Sequence, residues 1–85
     1  MNPGDLSITK HAQRRMRLYH VAAPDIAYLL DRPQSLTPSR RRTDRVEAIG
    51  EVPDGRRFLV VMPAADPITV ITLYPLRSRS EGEVP

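Results

Sequence analysis

The chain has 85 residues, 40% apolar and 27% charged, a length that fills one small hydrophobic core and leaves no room for a second domain. It has no cysteine, which excludes disulfides, cysteinyl zinc and a thiol nucleophile, and two histidines alone make a poor metal site, so no cofactor is expected. The net charge of +3 comes from 12 arginines and one lysine, gathered in two clusters that suit a polyanion or form solvated faces: Lys10 to Arg17, and Arg40, Arg41, Arg42 and Arg45 with Asp44 among them. The first predicted element is a helix capped by Thr9 and running to about Tyr19. At about 100° per residue, Ile8, Ala12, Met16 and Tyr19 share one narrow face. Arg15 lies about 60° from Ala12, beside that face, with His11 on the same shoulder, whereas Lys10, Arg14 and Arg17 point away.

A second helix is predicted from "AAPDIAYLLDRP", with Pro24 at its first position, Asp25 at the positive end, Val21 as the staple before it, and Pro33 as its stop. Ile26, Leu29 and Leu30 form its apolar stripe, and His20 caps the turn between the helices. From about Arg42 the pattern becomes extended. "VEAIGEV", the turn Pro53-Asp54-Gly55 and "RRFLVVM" predict a hairpin, and "ITVITLY" a third strand closed by Pro75. Ser35 to Pro38 is a candidate fourth strand. In the last strand Thr69, Ile71 and Leu73 are expected on one face, with Ile68, Val70, Thr72 and Tyr74 on the other, less covered one.

The fold expected is α+β: two N-terminal helices on a three- to four-stranded antiparallel sheet, a single domain over 6–76 with flexible termini at 1–5 and 77–85. The apolar runs at Phe58 to Met62 and Ile68 to Leu73 are far too short to span a membrane, and the polar start has no signal-peptide core. A cytoplasmic protein without membrane contact is therefore the expectation.

Read in order, "ITKHAQRRM", "LLDRP", "RVEAIGEVPDGRRFLVV" and "VITLYP" resemble the successive blocks of a bacterial domain-of-unknown-function family, DUF4258, over about Ile8 to Pro75. The most specific element is His-x-x-x-Arg-Met at His11, Arg15 and Met16. That family is in turn similar in layout to the BrnT and RelE ribonuclease toxins, and "DRVEAIG" resembles the charged-Arg-then-Gly strand of BrnT proteins, which places Arg45 among the candidates. The resemblance implies a toxin-type endoribonuclease held in check by an antitoxin-like protein. An Arg-Gly pair common in the family is Tyr19-His20 here.

Metal-free RNA cleavage needs a base, an acid and cations that stabilise charge on the phosphate. His11 titrates near neutrality as a residue type, and Arg15, one turn on, offers a planar fork for phosphate oxygens. With Arg45 these form the expected catalytic set. Arg14, Arg41, Arg42 and Arg57 are expected phosphate contacts, with Thr72 as a hydrogen-bond donor and Tyr74 as donor or base platform. Each has a plainer role: His11 bonded to a backbone carbonyl, Arg15 paired with Asp44, Glu47 or Glu51, Arg45 facing solvent, Thr72 as strand filler, Tyr74 as an edge aromatic. Two further readings stay open: a non-catalytic RNA- or protein-binding module on the same fold, and an assembly domain that forms a homodimer through exposed sheet edges.

Overall fold

A computed structural model describes residues 1–66 and 68–76; the tail expected to be flexible at 77–85 lies outside the described residues. The chain makes two residues of strand, β1 (Ser7–Ile8), before Thr9 turns it into α1 (Lys10–Tyr19). The Thr9 hydroxyl accepts the Ala12 N–H at 3.1 Å, which satisfies one of the orphan donors of the first turn. It also donates to the Ile71 carbonyl at 2.8 Å, so the same side chain ties the helix start to the far end of the sequence. Ala12 and Met16 are buried, as the helical period predicts.

The helix stops at His20, which sits in the left-handed region at φ 56°, while Val21 N–H bonds the Met16 carbonyl at 2.8 Å. This is a backbone region that favours glycine, here held by histidine. Arg56 donates to the Tyr19 and His20 carbonyls and pairs with Asp54 at 2.8 Å, which places a cation at the negative end of the helix. After this corner comes α2 (Ala23–Asp31). Pro24 falls at its second position and not the first, and the Asp25 carboxylate accepts the Ala22 N–H at 2.9 Å. Ahead of β1, a single 3-10 turn at Pro3–Asp5 packs against α2, and the terminal amine pairs with Asp31.

The sheet contains β2 (Ser35–Pro38), β3 (Arg45–Glu51), β4 (Arg57–Pro63) and β6 (Thr72–Leu76), in the order β2-β3-β4-β6 and antiparallel throughout. The candidate strand at Ser35–Pro38 is therefore real, and Gly55, at φ 96°, makes the turn of the β3–β4 hairpin. Both helices cover the same face. Ala48, Val60 and Leu73 lie side by side across three strands, with Val46 opposite Met62 and Gly50 opposite Phe58, and these pack on Met16, Ile26 and Leu29. Burying each of Phe58, Ile26, Leu29 and Leu73 contributes about 1.5–3 kcal/mol. Gly50 lets Leu29 approach closely, since a Cβ there would lie 3.0 Å from Leu29 Cγ and press that side chain aside. Among the described residues no helix is long and apolar enough to cross a membrane.

The expected last strand is in fact two. A short β5 (Thr69–Val70) pairs in parallel with β1, and at Ile71 the chain shifts before β6 begins. Ile71 N–H bonds the Val61 carbonyl at 2.8 Å, although Val61 is the register partner of Thr72. This local offset reverses the alternation, so Val70 and Leu73 both reach the core, which strict alternation forbids. The expected face for Val70 is corrected accordingly, while Thr72 and Tyr74 keep theirs.

Two outcomes follow. Thr9→Ala is expected to lower the unfolding free energy by about 1–2 kcal/mol in urea denaturation, through loss of the cap and of the bond to Ile71. The Arg56 backbone N–H and guanidinium hold the Asp54 carboxyl below its ordinary 3.8, so Asp54 stabilises the fold above that value and this contribution disappears as the pH falls through the lowered one. Denaturation midpoints of Asp54→Asn should accordingly decline less steeply with acid than those of the parent.

Candidate nucleic-acid interface

Two short helices cover one face of the sheet, and among the described residues no helix covers the other. On that open face the register sets Thr37, Glu47, Val61 and Thr72 in one row across the strands, and Ser35, Ile49, Leu59 and Tyr74 in the next. Between them lies a hollow of about 410 Å³. Leu59, Val61, Thr72 and Tyr74 line it from the sheet together with Arg45 and Glu47, and Ser39, Arg41 and Arg42 complete the lining.

The β2–β3 connection is what presents Arg41 and Arg42 there. Ser39 is buried, and its hydroxyl accepts the backbone N–H of Arg41 at 3.2 Å and of Arg42 at 3.3 Å, a local turn that short hydroxyl side chains make well. Ser39 N–H bonds the Arg45 carbonyl and Arg45 N–H the Arg42 carbonyl, so the loop folds tightly over the end of β3. Arg42 lies 3.8 Å from Asp44, both well exposed, a pair worth little in water. Among the described residues the side chains of Arg41, Arg45 and Glu47 have neither ion pair nor hydrogen bond. Three guanidinium groups and one carboxylate thus surround a half-apolar floor.

Thr72 is the unusual member. Its residue is 6% exposed, and its hydroxyl oxygen is buried with no hydrogen-bond partner. Such a group costs about 1–3 kcal/mol relative to one that is satisfied, and valine would fill the same space without the cost. The hydroxyl oxygen is therefore left without a partner among the described residues, beneath a hollow lined by arginines.

At the edge of the sheet, α1 packs along β6 and delivers the helix pair to the same place. Arg15 lies over the Tyr74 ring, 4.7 Å from its centroid, donates Nε to His11 Nε2 at 3.1 Å and one terminal nitrogen to the Tyr19 hydroxyl at 3.3 Å. Its pairing with Asp44, Glu47 or Glu51, one of the two roles open to it in the sequence, does not occur. His11 is exposed and bonded to Arg15, not to a backbone carbonyl. In this arrangement His11 Nε2 is the acceptor and Arg15 Nε the donor. Arg14, exposed on the outer shoulder, shares with His11, Arg15 and Leu18 an open depression of about 290 Å³.

Of the nine residues singled out from the sequence, Arg41, Arg42, Arg45, Thr72 and Tyr74 therefore line one hollow, and Arg15 and His11 adjoin it through Tyr74. Arg57 does not belong with them. It pairs in register with Glu51, six positions along β3 from Arg45, which is about 20 Å at the rise of a strand, and its guanidinium donates to Gln34. Glu47 and Ser39 were missed: Glu47 reads as an ordinary alternating polar position, and the turn made by Ser39 is invisible until β2 is placed. Among the described residues no three His, Asp or Glu side chains gather as metal ligands.

Thr72→Val separates folding from binding. Removing the unpartnered hydroxyl is expected to leave stability unchanged or raise it by up to about 1–2 kcal/mol in thermal or urea unfolding, since no hydrogen bond is lost. A clear loss of stability instead would show that the hydroxyl is satisfied within the fold.

No protein-family model matches this chain, and no curated protein and no solved structure matches it either.

Proposed function

We propose that this protein is a small metal-independent endoribonuclease that holds single-stranded RNA across the open face of its sheet. The observation that carries the reading is the hollow in which Arg41, Arg42 and Arg45 surround the unpartnered Thr72 hydroxyl, with the Tyr74–Arg15–His11 chain at its edge. Guanidinium groups with no acidic partner among the described residues, as in Arg41 and Arg45, or only an exposed one, as in Arg42 beside Asp44, are suited to phosphate oxygens, and an aromatic ring beside them to an unpaired base. The resemblance of "ITKHAQRRM" and "VITLYP" to DUF4258, and through it to the BrnT and RelE toxins, points the same way.

The reaction needs no group from outside the chain and the RNA. Phosphate entering beside Arg15 competes for its guanidinium and frees His11 Nε2, which takes the proton of the ribose 2′-hydroxyl. The 2′ oxygen attacks the adjacent phosphorus, the bond from phosphorus to the 5′ oxygen breaks, and the imidazolium returns the proton to that leaving oxygen. The products are a 2′,3′-cyclic phosphate and a 5′-hydroxyl. Arg15 and Arg45 meet the charge that accumulates on the non-bridging oxygens, in a site where Leu59 and Val61 keep the surroundings partly dry. A protein covering the basic face would silence the enzyme, as an antitoxin does.

One observation favours a second reading, binding without cleavage: His11 Nε2 is already engaged by Arg15, and an unprotonated imidazole held by a cation is a base only once released. The two readings divide on one experiment. Purified protein is incubated with single-stranded RNA in the presence of a chelator, beside His11→Ala, Arg15→Ala and Arg45→Ala. The expected result is cleavage with cyclic-phosphate ends, reduced about 10²–10⁴-fold in His11→Ala, and RNA binding that weakens steeply with salt. Equal activity in all four proteins removes these residues from the chemistry, and salt-sensitive binding without products leaves the binding module.

A further inference from the structure

We propose that the hollow on the open sheet face is a guanine site. The inference rests on the RNA reading for its place in a bound strand, but the base preference stands on the composition of the hollow itself. A bare phosphate explains the arginines and fails to explain Glu47, whose carboxylate stands among them without a hydrogen bond or ion pair among the described residues. An anion alone would be repelled by it. The occupant must offer hydrogen-bond donors to Glu47 and acceptors to the neighbouring guanidinium groups.

Guanine is the base that meets both demands at once. Its Watson–Crick edge carries two adjacent donors, N1–H and the N2 amino group, which match the two oxygens of a carboxylate. Its O6 and N7 form the acceptor pair that arginine contacts bidentately. Adenine and cytosine each offer one exocyclic amino group beside an unprotonated ring nitrogen that would face the carboxylate, and uracil has a single N–H between two carbonyls. Tyr74, 42% exposed at the side of the hollow, supplies the aromatic surface, and Leu59 and Val61 an apolar bed. The volume of about 410 Å³ is that of a site for one small molecule or one nucleotide unit and not for a duplex. Thr72 is the independent sign that a ligand belongs here, since nothing in the described fold satisfies its hydroxyl.

Titration of the full chain with guanosine, inosine, adenosine, cytidine and uridine 5′-monophosphates, followed by amide chemical shifts or calorimetry, tests the assignment. Guanosine monophosphate is expected to bind about tenfold or more tightly than the adenosine, cytidine and uridine forms, with inosine, which lacks the N2 amino group, in between. Glu47→Gln should abolish this preference while retaining phosphate-dependent binding, and Thr72→Val should weaken the guanosine form. Equal affinity for all five nucleotides, or a preference that survives Glu47→Gln, overturns the proposal. RNA cleavage without base preference sinks the guanine site and leaves the ribonuclease, guanine preference without cleavage does the reverse, and failure of both nucleotide and RNA binding removes both.

Discussion

The Thr9 hydroxyl joins the two halves of the structure. By accepting from Ala12 N–H it fixes where α1 begins, and by donating to the Ile71 carbonyl it fixes what α1 begins against. Ile71 is the residue at which the last strand breaks its alternation, so the same contact lies where Val70 and Leu73 both turn inward and Thr72 and Tyr74 outward. The helical period then does the rest: Arg15, six residues past the cap, reaches the Tyr74 ring, and His11 stands one turn behind it. A cap that slipped by one residue would rotate both side chains about 100° away from the edge of the sheet.

Two helices of ten and nine residues cannot cover both faces of a four-stranded sheet, and the uncovered face carries the function proposed for the molecule. A domain this small has a net stability of order 5–15 kcal/mol, against which an unsatisfied buried hydroxyl at about 1–3 kcal/mol is a substantial charge. On the same face Val61 is buried to nearly the same degree as Thr72 and is fully apolar, which shows what this environment accepts at no cost. Local rules therefore favour valine at position 72, and the departure from them coincides with the hollow, where departures tied to function are expected to gather.

The sequence was legible wherever a local signal decided the outcome. Thr9 before an apolar period, Pro53-Asp54-Gly55 between two β-rich runs, and Pro33 after Leu30 each act within a few residues, and the helices and the central hairpin appear where these signals put them. What was hidden depends on contacts between distant segments. The reversal at Ile71 arises from β1 pairing with β5 and from Val61 accepting an unscheduled hydrogen bond, neither of which alternation can reveal. The place of Glu47 beside Arg41 and Arg42 requires the β2–β3 turn, and the separation of Arg45 from Arg57 requires the hairpin register, in which neighbouring strands hold their arginines at opposite ends.

Arginine at position 15 has a geometry that lysine lacks. Its guanidinium uses one edge for His11 Nε2, another nitrogen for the Tyr19 hydroxyl and its flat face for Tyr74, three contacts that a compact ammonium cannot make together. None of the three is anionic, so among the described residues the positive charge has no acidic partner at a half-buried position. Had Arg15 found Glu47 or Glu51, the charge would have been spent within the fold and the edge of β6 would have been neutral. The fold instead leaves the cation beside an imidazole and a phenol, and Glu47 on the sheet without an ion pair among the described residues, an arrangement that suits the proposed ligand with acceptors at one end and donors at the other.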